Sequence, residues 1–272
     1  MTGSSFFRKR IAVPQEHGSW MFLLLPLLVG LTAGGRLTVA STYLLVASLA
    51  VFFMRQPLLA ITKVRAGRRP ASDLSVAWTW LAIYAAIAIL HVYGLTLRGH
   101  GEVVWLGVPA ALVAAWHGWL VFHRAERRQE LMEMVAAGAL ALSAPAAVLV
   151  ARPEAGTSLL LTLWLGTWIA SAAMIACTYL RLEQRTWPDD GTPESRRRAA
   201  RPALLLPTIG LVGGAIVREP SPWIVLPFAI LLIEAVLAWR RPARGMRPKQ
   251  IGMRQLAVSI LVTAAFLLSV RG

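Results

Sequence analysis

Long apolar runs separated by short polar connections dominate the pattern of hydrophobic positions along this chain. They predict nine helices, at residues 18–34, 37–61, 74–97, 102–122, 131–151, 157–180, 203–217, 221–239 and 251–270. Each run has about the length that a helix needs to cross a hydrocarbon core of roughly 30 Å, although the first and seventh runs are short. The runs lack the alternating polarity of barrel strands, and backbone groups in lipid must be satisfied within their own segment. The pattern therefore predicts an all-α, polytopic membrane protein with nine transmembrane helices.

The basic residues are divided unequally between the two predicted sides of the membrane. If the N-terminus is cytoplasmic, the outside holds only five of the 28 lysines and arginines, namely Arg36, Arg98, Arg152, Arg218 and Arg271. Cytoplasmic connections of membrane proteins carry an excess of lysine and arginine. The asymmetry therefore predicts a cytoplasmic N-terminus and an outside C-terminus.

Composition agrees with a single integral membrane domain over residues 1–272. Hydrophobic residues make up 57% of the chain and charged residues only 15%, and the mean hydropathy is +0.59. A soluble domain has about 25% charged residues. Within this domain we expect a basic N-terminal tail at residues 1–13. We also expect a mobile cytoplasmic loop at residues 186–202, where proline, glycine and a change from acidic to basic residues occur together.

The net charge of +15 narrows the class of binding partner. The charges lie between apolar runs and not on one soluble face, so membrane lipid headgroups or an anionic substrate are the expected partners. Nucleic acid is not expected, because the sequence has no zinc-finger spacing and no RNA-binding aromatic motif. The single cysteine, Cys177, excludes an intramolecular disulfide.

An acid, a histidine and a glycine stand at the mouth of the first apolar run, in the segment PQEHGSW. Pro14 suits the first turn of a helix, and the helix dipole favours Glu16 near that end. Two interpretations stay open. The segment is an interfacial helix cap, or Glu16 and His17 line a polar cavity on the cytoplasmic side and transfer protons there.

The second apolar run contains polar groups before its expected end. Arg55 and Gln56 lie inside the run, Pro57 is expected to bend or break the helix, and Lys63 follows it. An arginine within a membrane span is unfavourable unless it faces a cavity or a partner. Arg55 and Lys63 are therefore candidates to bind a phosphate or carboxylate, which arginine does bidentately.

A similar candidate set follows the sixth apolar run, in the segment CTYLRLEQR. Arg181 and Arg185 are four residues apart and share a helix face, whereas Glu183 projects to another side. Lys249 stands at a second polar helix mouth, before the ninth run. An ordinary basic helix end, or anchoring at the membrane surface, would explain these groups equally well.

Two single ionisable residues also lie within apolar runs. His117 lies toward the cytoplasmic end of the fourth run and is a further candidate for substrate contact, although a single histidine is usually satisfied by one neighbour. Glu234 lies deep in the eighth run, so it should pair with an inward-facing group.

Three of these segments carry a family resemblance. PQEHGSW at the first helix, RQPLL in the second and KQIG before the ninth resemble the bacterial YwiC-like family, and the resemblance covers nearly the whole chain. It implies a multi-pass protein of the bacterial inner (cytoplasmic) membrane. The family as such implies no particular reaction.

A wider resemblance concerns architecture. Nine helices with polar cytoplasmic connections after the second and sixth resemble the UbiA-type intramembrane prenyltransferases, in which two aspartate-rich motifs hold magnesium against a prenyl diphosphate. Here the corresponding segments carry arginine and lysine, with no aspartate before Asp73 in the first and with Asp189 and Asp190 only beyond the second. Magnesium needs carboxylate oxygens. The resemblance therefore implies a UbiA-like bundle, assigns no metal ligands and leaves a role for magnesium open.

Together these observations give a leading hypothesis and two alternatives. The hypothesis is a cytoplasm-facing cavity that binds an anionic amphiphile, an isoprenoid or lipid phosphate or diphosphate, with prenyltransferase-like transfer as the activity that the resemblance implies. Its predicted substrate-binding residues are Arg55, Gln56, Lys63, His117, Arg181, Arg185 and Lys249, and its predicted proton-transfer residues are Glu16, His17 and Glu183. The alternatives are a membrane carrier for a small anion and a structural subunit of a respiratory membrane complex.

Overall fold

The computed structural model describes residues 9–14, 19–125, 129–187 and 193–271, and all regular structure in these ranges is helical. Short 3₁₀ turns at Gly101–Gly107 and Pro222–Val225 precede two of the helices. The α-helices are α1 (Lys9–Ala12), α2 (Ser19–Ala33), α3 (Val39–Arg65), α4 (Ser72–Leu97), α5 (Val108–Phe122), α6 (Glu130–Ala141), α7 (Ser143–Ala151), α8 (Thr157–Gln184), α9 (Pro193–Val217), α10 (Leu226–Arg240) and α11 (Pro248–Ser269).

Within the described residues, eight helical segments are long and apolar enough to cross a membrane. They are Val39–Arg65, Ser72–Leu97, Gly101–Phe122, Glu130–Ala151, Thr157–Gln184, Arg198–Val217, Pro222–Arg240 and Pro248–Ser269. The apolar segment Trp20–Ala33 is shorter than these. The predicted all-α, multi-pass architecture is confirmed, whereas the count of nine spans and the cytoplasmic N-terminus stay predictions.

Several helices extend beyond the apolar runs that predicted them. α3 continues through Pro57 to Arg65 instead of ending at 61, and α8 continues to Gln184 instead of 180. α9 begins at Pro193 and not at 203, so the second half of the segment predicted as a loop is helical where it is described. An interior proline removes one backbone hydrogen bond, and a long apolar helix can bend there without ending.

The single helix predicted over residues 131–151 is divided at Leu142 into α6 and α7. Pro145 lies in the first turn of α7 and has no N–H to donate to the carbonyl of Ala141, and its ring crowds that carbonyl. The predicted span is therefore present as Glu130–Ala151, with a local break at Leu142 instead of one uninterrupted helix.

Contacts divide the chain into two compact units, called here the first unit (Met1–Ser19 and Leu37–Gln129) and the second unit (Trp20–Arg36 and Glu130–Gly272). In the first unit, α3 and α4 form an antiparallel pair, and the short helix α1 packs against both. Ile11 is buried there, and the Tyr84 hydroxyl donates a hydrogen bond of 2.8 Å to the carbonyl of Ala12. The described part of the predicted N-terminal tail is thus packed against helices.

The second unit contains α2 and α6–α11 around one apolar core. Phe228 and Phe266 meet edge to face near its centre, with ring centroids 5.8 Å apart. A Cβ atom at Gly30 would overlap the backbone of Ala144, so glycine permits the close approach of α2 and α7. Small residues at helix contacts of this kind are typical of membrane bundles.

Two arginines on the predicted outside link the ends of α2 and α7. Arg36 Nε donates to the carbonyl of Ala151 over 2.8 Å, and Arg152 Nη2 donates to the carbonyl of Ala33 over 2.6 Å. Each guanidinium therefore satisfies a C-terminal carbonyl of the other helix, where the helix dipole favours positive charge. These local partners explain two exceptions to the charge asymmetry.

Candidate functional site

Three helices of the second unit bring polar residues to one of its ends. α8 ends at Gln184, α10 ends at Arg240 and α11 begins at Pro248, and each of these helices packs against the other two. A short connection, residues 241–247, joins α10 to α11. Polar side chains near these three helix ends therefore lie close together.

A carboxylate paired with two guanidinium groups lies just inside this end; we call Arg181, Glu234 and Arg254 the ion cluster. Glu234 Oε1 accepts hydrogen bonds from Arg181 Nε at 3.0 Å, Arg181 Nη2 at 2.7 Å and Arg254 Nε at 2.8 Å. Glu234 Oε2 accepts from Arg254 Nη2 at 2.7 Å. Both carboxylate oxygens are thus occupied, and the Arg254 pair is bidentate.

The three members of the ion cluster differ in exposure. The side chains of Arg181 and Glu234 are 6% and 10% exposed, whereas that of Arg254 is 41% exposed. The prediction that Glu234 pairs with an inward group is confirmed. The cluster carries two positive charges against one negative charge, so it has a net charge of +1 near one open side.

Two adjacent residues at the end of α8, Gln184 and Arg185, fix the connection that follows α10. Gln184 is fully buried, its Nε2 donates to the carbonyl of Ala238 at 2.9 Å, and its Oε1 accepts from the backbone N–H of Ala243 at 3.0 Å. Arg185 Nε donates to the carbonyl of Met246 at 2.8 Å. These bonds hold residues 241–247 against the end of α8, beside the ion cluster.

The other predicted residues of the second unit lie at its surface. Glu183 is exposed on α8, on a different side of the helix from Arg181, and Lys249 is exposed in the first turn of α11. Tyr179 donates a hydrogen bond of 2.9 Å to Glu133 Oε1, so this part of α8 also contacts α6. Of the predicted residues in this unit, Arg181 is the one that lies in the ion cluster.

The predicted residues of the first unit lie at different depths. Arg55 is half-buried and about 15 Å along α3 from its end at Arg65. Because α3 ends at Arg65 and not at the predicted residue 61, Arg55 lies deeper inside the span than the sequence indicated. Gln56 is next to it, Lys63 is in the last turn of α3, and His117 is half-buried on α5. Arg55 and Lys63 are about 12 Å apart along the helix axis and do not share one level.

Glu16 and His17, which were predicted to transfer protons, lie outside the described residues.

The described residues do not fit a magnesium site. No group of three or more His, Cys, Asp or Glu side chains that could hold a metal ion occurs among them. The buried carboxylate near the helix ends, Glu234, already accepts four hydrogen bonds from guanidinium groups. Magnesium needs oxygen ligands in near-octahedral geometry, which this arrangement does not supply. Asp189 and Asp190 lie outside the described residues.

Sequence reasoning missed Arg254 and Gln184. Arg254 was counted only among the basic residues of the predicted cytoplasmic side, although it lies about 9 Å inside the start of α11. Its depth in an apolar segment is the signal that could have identified it, because the same reasoning selected Arg55. The role of Gln184 depends on the position of residues 241–247, which local sequence does not give.

The fold is that of a known class of membrane protein. The described helices resemble a UbiA homolog from Archaeoglobus fulgidus bound to Cd²⁺, with a TM-score of 0.53 and 17% identity over 97% of this chain and 99% of that chain. They also resemble digeranylgeranylglyceryl phosphate synthase, with a TM-score of 0.56 and 11% identity over 93% of this chain and 99% of that chain. At such low identities these likenesses show the fold alone: a UbiA-like, multi-pass helical bundle.

Sequence then identifies the family. The model of the YwiC-like protein family matches residues 13–148, and the chain belongs to this family. No curated protein matches the sequence. The recognition of the family is thereby confirmed: the match includes the segments PQEHGSW and RQPLL, whereas KQIG lies beyond it. As a multi-pass membrane protein, the chain contacts membrane lipids.

Proposed function

We propose that this protein binds an anionic amphiphile, an isoprenoid or lipid phosphate, at the end of the second unit where α8 and α10 end and α11 begins. The observation that carries the proposal is the charge of residues 241–249, which include four basic side chains and no acidic one, next to an ion cluster that is itself net positive. We place the protein in the bacterial inner membrane, with this end on the cytoplasmic side.

Positive charge at a membrane surface also attracts ordinary anionic lipids. Two features favour a more specific ligand. The connection 241–247 is held by side-chain hydrogen bonds from Gln184 and Arg185, so its basic groups stand on a fixed backbone. The cluster behind it places a guanidinium inside the span, where a mobile surface charge would not be expected.

The UbiA-like fold supports the class of ligand. One of the similar structures is a synthase of digeranylgeranylglyceryl phosphate, a lipid that combines isoprenoid chains with a phosphate. In this chain we propose that Arg185 and Lys249 contact the headgroup and that Arg181 acts through Glu234. Because arginine can balance phosphate charge without a metal, binding should not require a divalent ion.

The remaining predicted residues belong to the same proposal and are tested one at a time. In the first unit we propose Arg55, Gln56, Lys63 and His117 as ligand-binding residues and Glu16 and His17 as proton-transfer residues. In the second unit we propose Glu183 as a proton-transfer residue. The proposal for the end of the second unit rests on the basic connection and the ion cluster, and it does not depend on any of these residues. A variant such as Arg55→Leu therefore tests the contribution of the first unit independently of the second.

The test is equilibrium binding of farnesyl diphosphate to the purified protein in detergent. Binding is measured as the rise in the melting temperature of the protein with ligand concentration. We expect the stabilisation to be saturable and to persist when divalent ions are chelated. The affinity derived from it should fall by about tenfold in Arg185→Gln and in Lys249→Gln. The matched control is Arg240→Gln, which removes an exposed charge of α10 at the same end. No stabilisation of the wild type at any concentration would refute the proposal.

The same preparations separate binding from the other activities. Release of diphosphate together with a farnesylated lipid product, when extracted membrane lipids are supplied as acceptors, would show transfer, in line with the fold. Saturable flux of a small anion into proteoliposomes, without stabilisation by farnesyl diphosphate, would instead support the carrier alternative.

A further inference from the structure

We infer that Arg254 is the residue that binds the phosphate directly, and that Glu234 and Arg181 are positioning residues behind it. This role rests on the proposed function, and it identifies the residue that contacts the phosphate of the proposed ligand. Its ligand is the phosphate of an isoprenoid phosphate whose chain lies along the exposed face of α11. Sequence reasoning assigned Arg254 no role beyond surface charge.

The hydrogen bonds of Arg254 leave one edge of its guanidinium available. Its Nε and Nη2 both donate to Glu234, which fixes the plane of the group. Within the part of the chain that the structure describes, Arg254 has no partner other than Glu234, so both hydrogens of Nη1 remain to donate. A guanidinium held on one edge by a carboxylate can thus present its other edge to a phosphate oxygen with little loss of side-chain freedom.

The charge of the ion cluster favours an anion on that open side. Glu234 balances one of the two guanidinium groups, and the buried Arg181 uses its Nε and Nη2 on the same oxygen. Because the buried pair of Arg181 and Glu234 is neutral, the excess positive charge of the cluster lies on Arg254, where it attracts an anion. Only the Arg254 side is substantially exposed, so a counter-ion would bind there.

The surface beside Arg254 matches an apolar chain. On α11, exposed residues follow Arg254 at intervals of three and four along one face, namely Ala257, Leu261, Ala264 and Leu268. Leu261 and Leu268 are 58% and 66% exposed, and Ala257 and Ala264 alternate with them along the face. An amphiphile whose phosphate contacts Arg254 would therefore have a continuous apolar stripe for its chain.

The first test compares three probes on the full-length protein in detergent: farnesyl phosphate, farnesol and inorganic phosphate. We expect farnesyl phosphate to bind the wild type and to lose affinity by about 10- to 100-fold in Arg254→Gln, with a smaller loss in Arg254→Lys, which keeps the charge but not the bidentate geometry. Farnesol should bind both proteins equally. Inorganic phosphate should bind far more weakly than farnesyl phosphate. The control Arg240→Gln should bind like the wild type.

The second test asks whether Glu234 acts through Arg254. We expect Glu234→Gln to weaken binding of farnesyl phosphate about tenfold in the wild-type background and to have no further effect in Arg254→Gln, because the group that it positions is then absent. A merely structural role would lower affinity by the same factor in both backgrounds. Thermal melting of each variant without ligand identifies folded preparations.

The third test concerns the stripe. Ala257→Phe places a ring on the proposed path of the isoprenoid chain and should weaken the binding of farnesyl phosphate about tenfold. Ala86→Phe, at an exposed alanine of α4, should leave this binding unchanged. Wild-type binding that is unchanged in Arg254→Gln would overturn this inference and leave the proposed function standing. Absence of wild-type binding would overturn both.

Discussion

Replacement of Glu234 is the change whose effect can be worked out most fully from the structure. Glu234→Gln keeps the size of the side chain and removes its negative charge, which leaves the buried guanidinium of Arg181 without a counter-ion. Breaking a buried ion pair from one side destabilises by about 3–5 kcal/mol. Arg254 adds little to this loss, because its side chain is 41% exposed and can be solvated.

The assay is reversible unfolding in mixed micelles of increasing SDS content, which gives the free energy of unfolding of each variant. A matched control is Glu194→Gln on α9, where the ion pair with Arg198 has side chains 81% and 75% exposed. Exposed pairs contribute about 0–1 kcal/mol. We expect Glu234→Gln to lower the free energy of unfolding by at least 2 kcal/mol more than the control does.

A double variant sharpens this prediction. Arg181→Met combined with Glu234→Leu removes both buried charges and fills similar volumes, and such replacements are often neutral or stabilising by about 1–4 kcal/mol. It should therefore be more stable than Glu234→Gln alone. If Glu234→Gln unfolds at the same SDS content as Glu194→Gln, the carboxylate does not balance a buried charge and the reasoning is refuted.

Two further predictions concern packing and the connection after α10. Gly30→Ala should destabilise the second unit by at least 2 kcal/mol, because the added Cβ would overlap the backbone of Ala144. The control Gly213→Ala places its Cβ in open space and should be neutral or slightly stabilising. Unfolding of both variants in SDS measures the difference. Gln184→Leu should lower the free energy of unfolding by about 1–3 kcal/mol, since the buried N–H of Ala243 loses its acceptor, and should expose residues 241–247 to faster proteolysis. Unchanged proteolysis would count against the role given to Gln184.

Much of the helical pattern could be predicted from the sequence, because each span needs a long apolar segment and membrane backbone must be hydrogen-bonded locally. The ends of the helices could not. Counting apolar residues stops a helix at its first charged group, whereas α8 continues past Arg181 to Gln184 and α3 continues past Lys63 to Arg65. At the end of α8, hydrogen bonds from Arg181 and Gln184 to α10 make this continuation favourable, and at the end of α3 the Arg65 guanidinium lies over the ring of Trp78 on α4. These contacts depend on tertiary packing.

The same limit applies to the site. The depth of Glu234 in an apolar run was enough to require a charged partner, but not to say which one. Arg181 comes from α8 and Arg254 from α11, which lie 53 and 20 residues away along the chain. Only the packing of these helices against α10 brings the three groups together. Depth alone would have selected Arg254 together with Arg55, had it been applied to every basic residue.

Mass spectrometry of the small molecules that co-purify with the protein tests the central claim most directly. The wild type and Arg254→Gln are purified in the same mild detergent, and the bound lipids are quantified against protein. We predict about one isoprenoid or lipid phosphate per wild-type chain and its loss from Arg254→Gln at unchanged bulk phospholipid. The same bulk phospholipids in the same proportions in both preparations, with no enriched phosphate amphiphile, would contradict it.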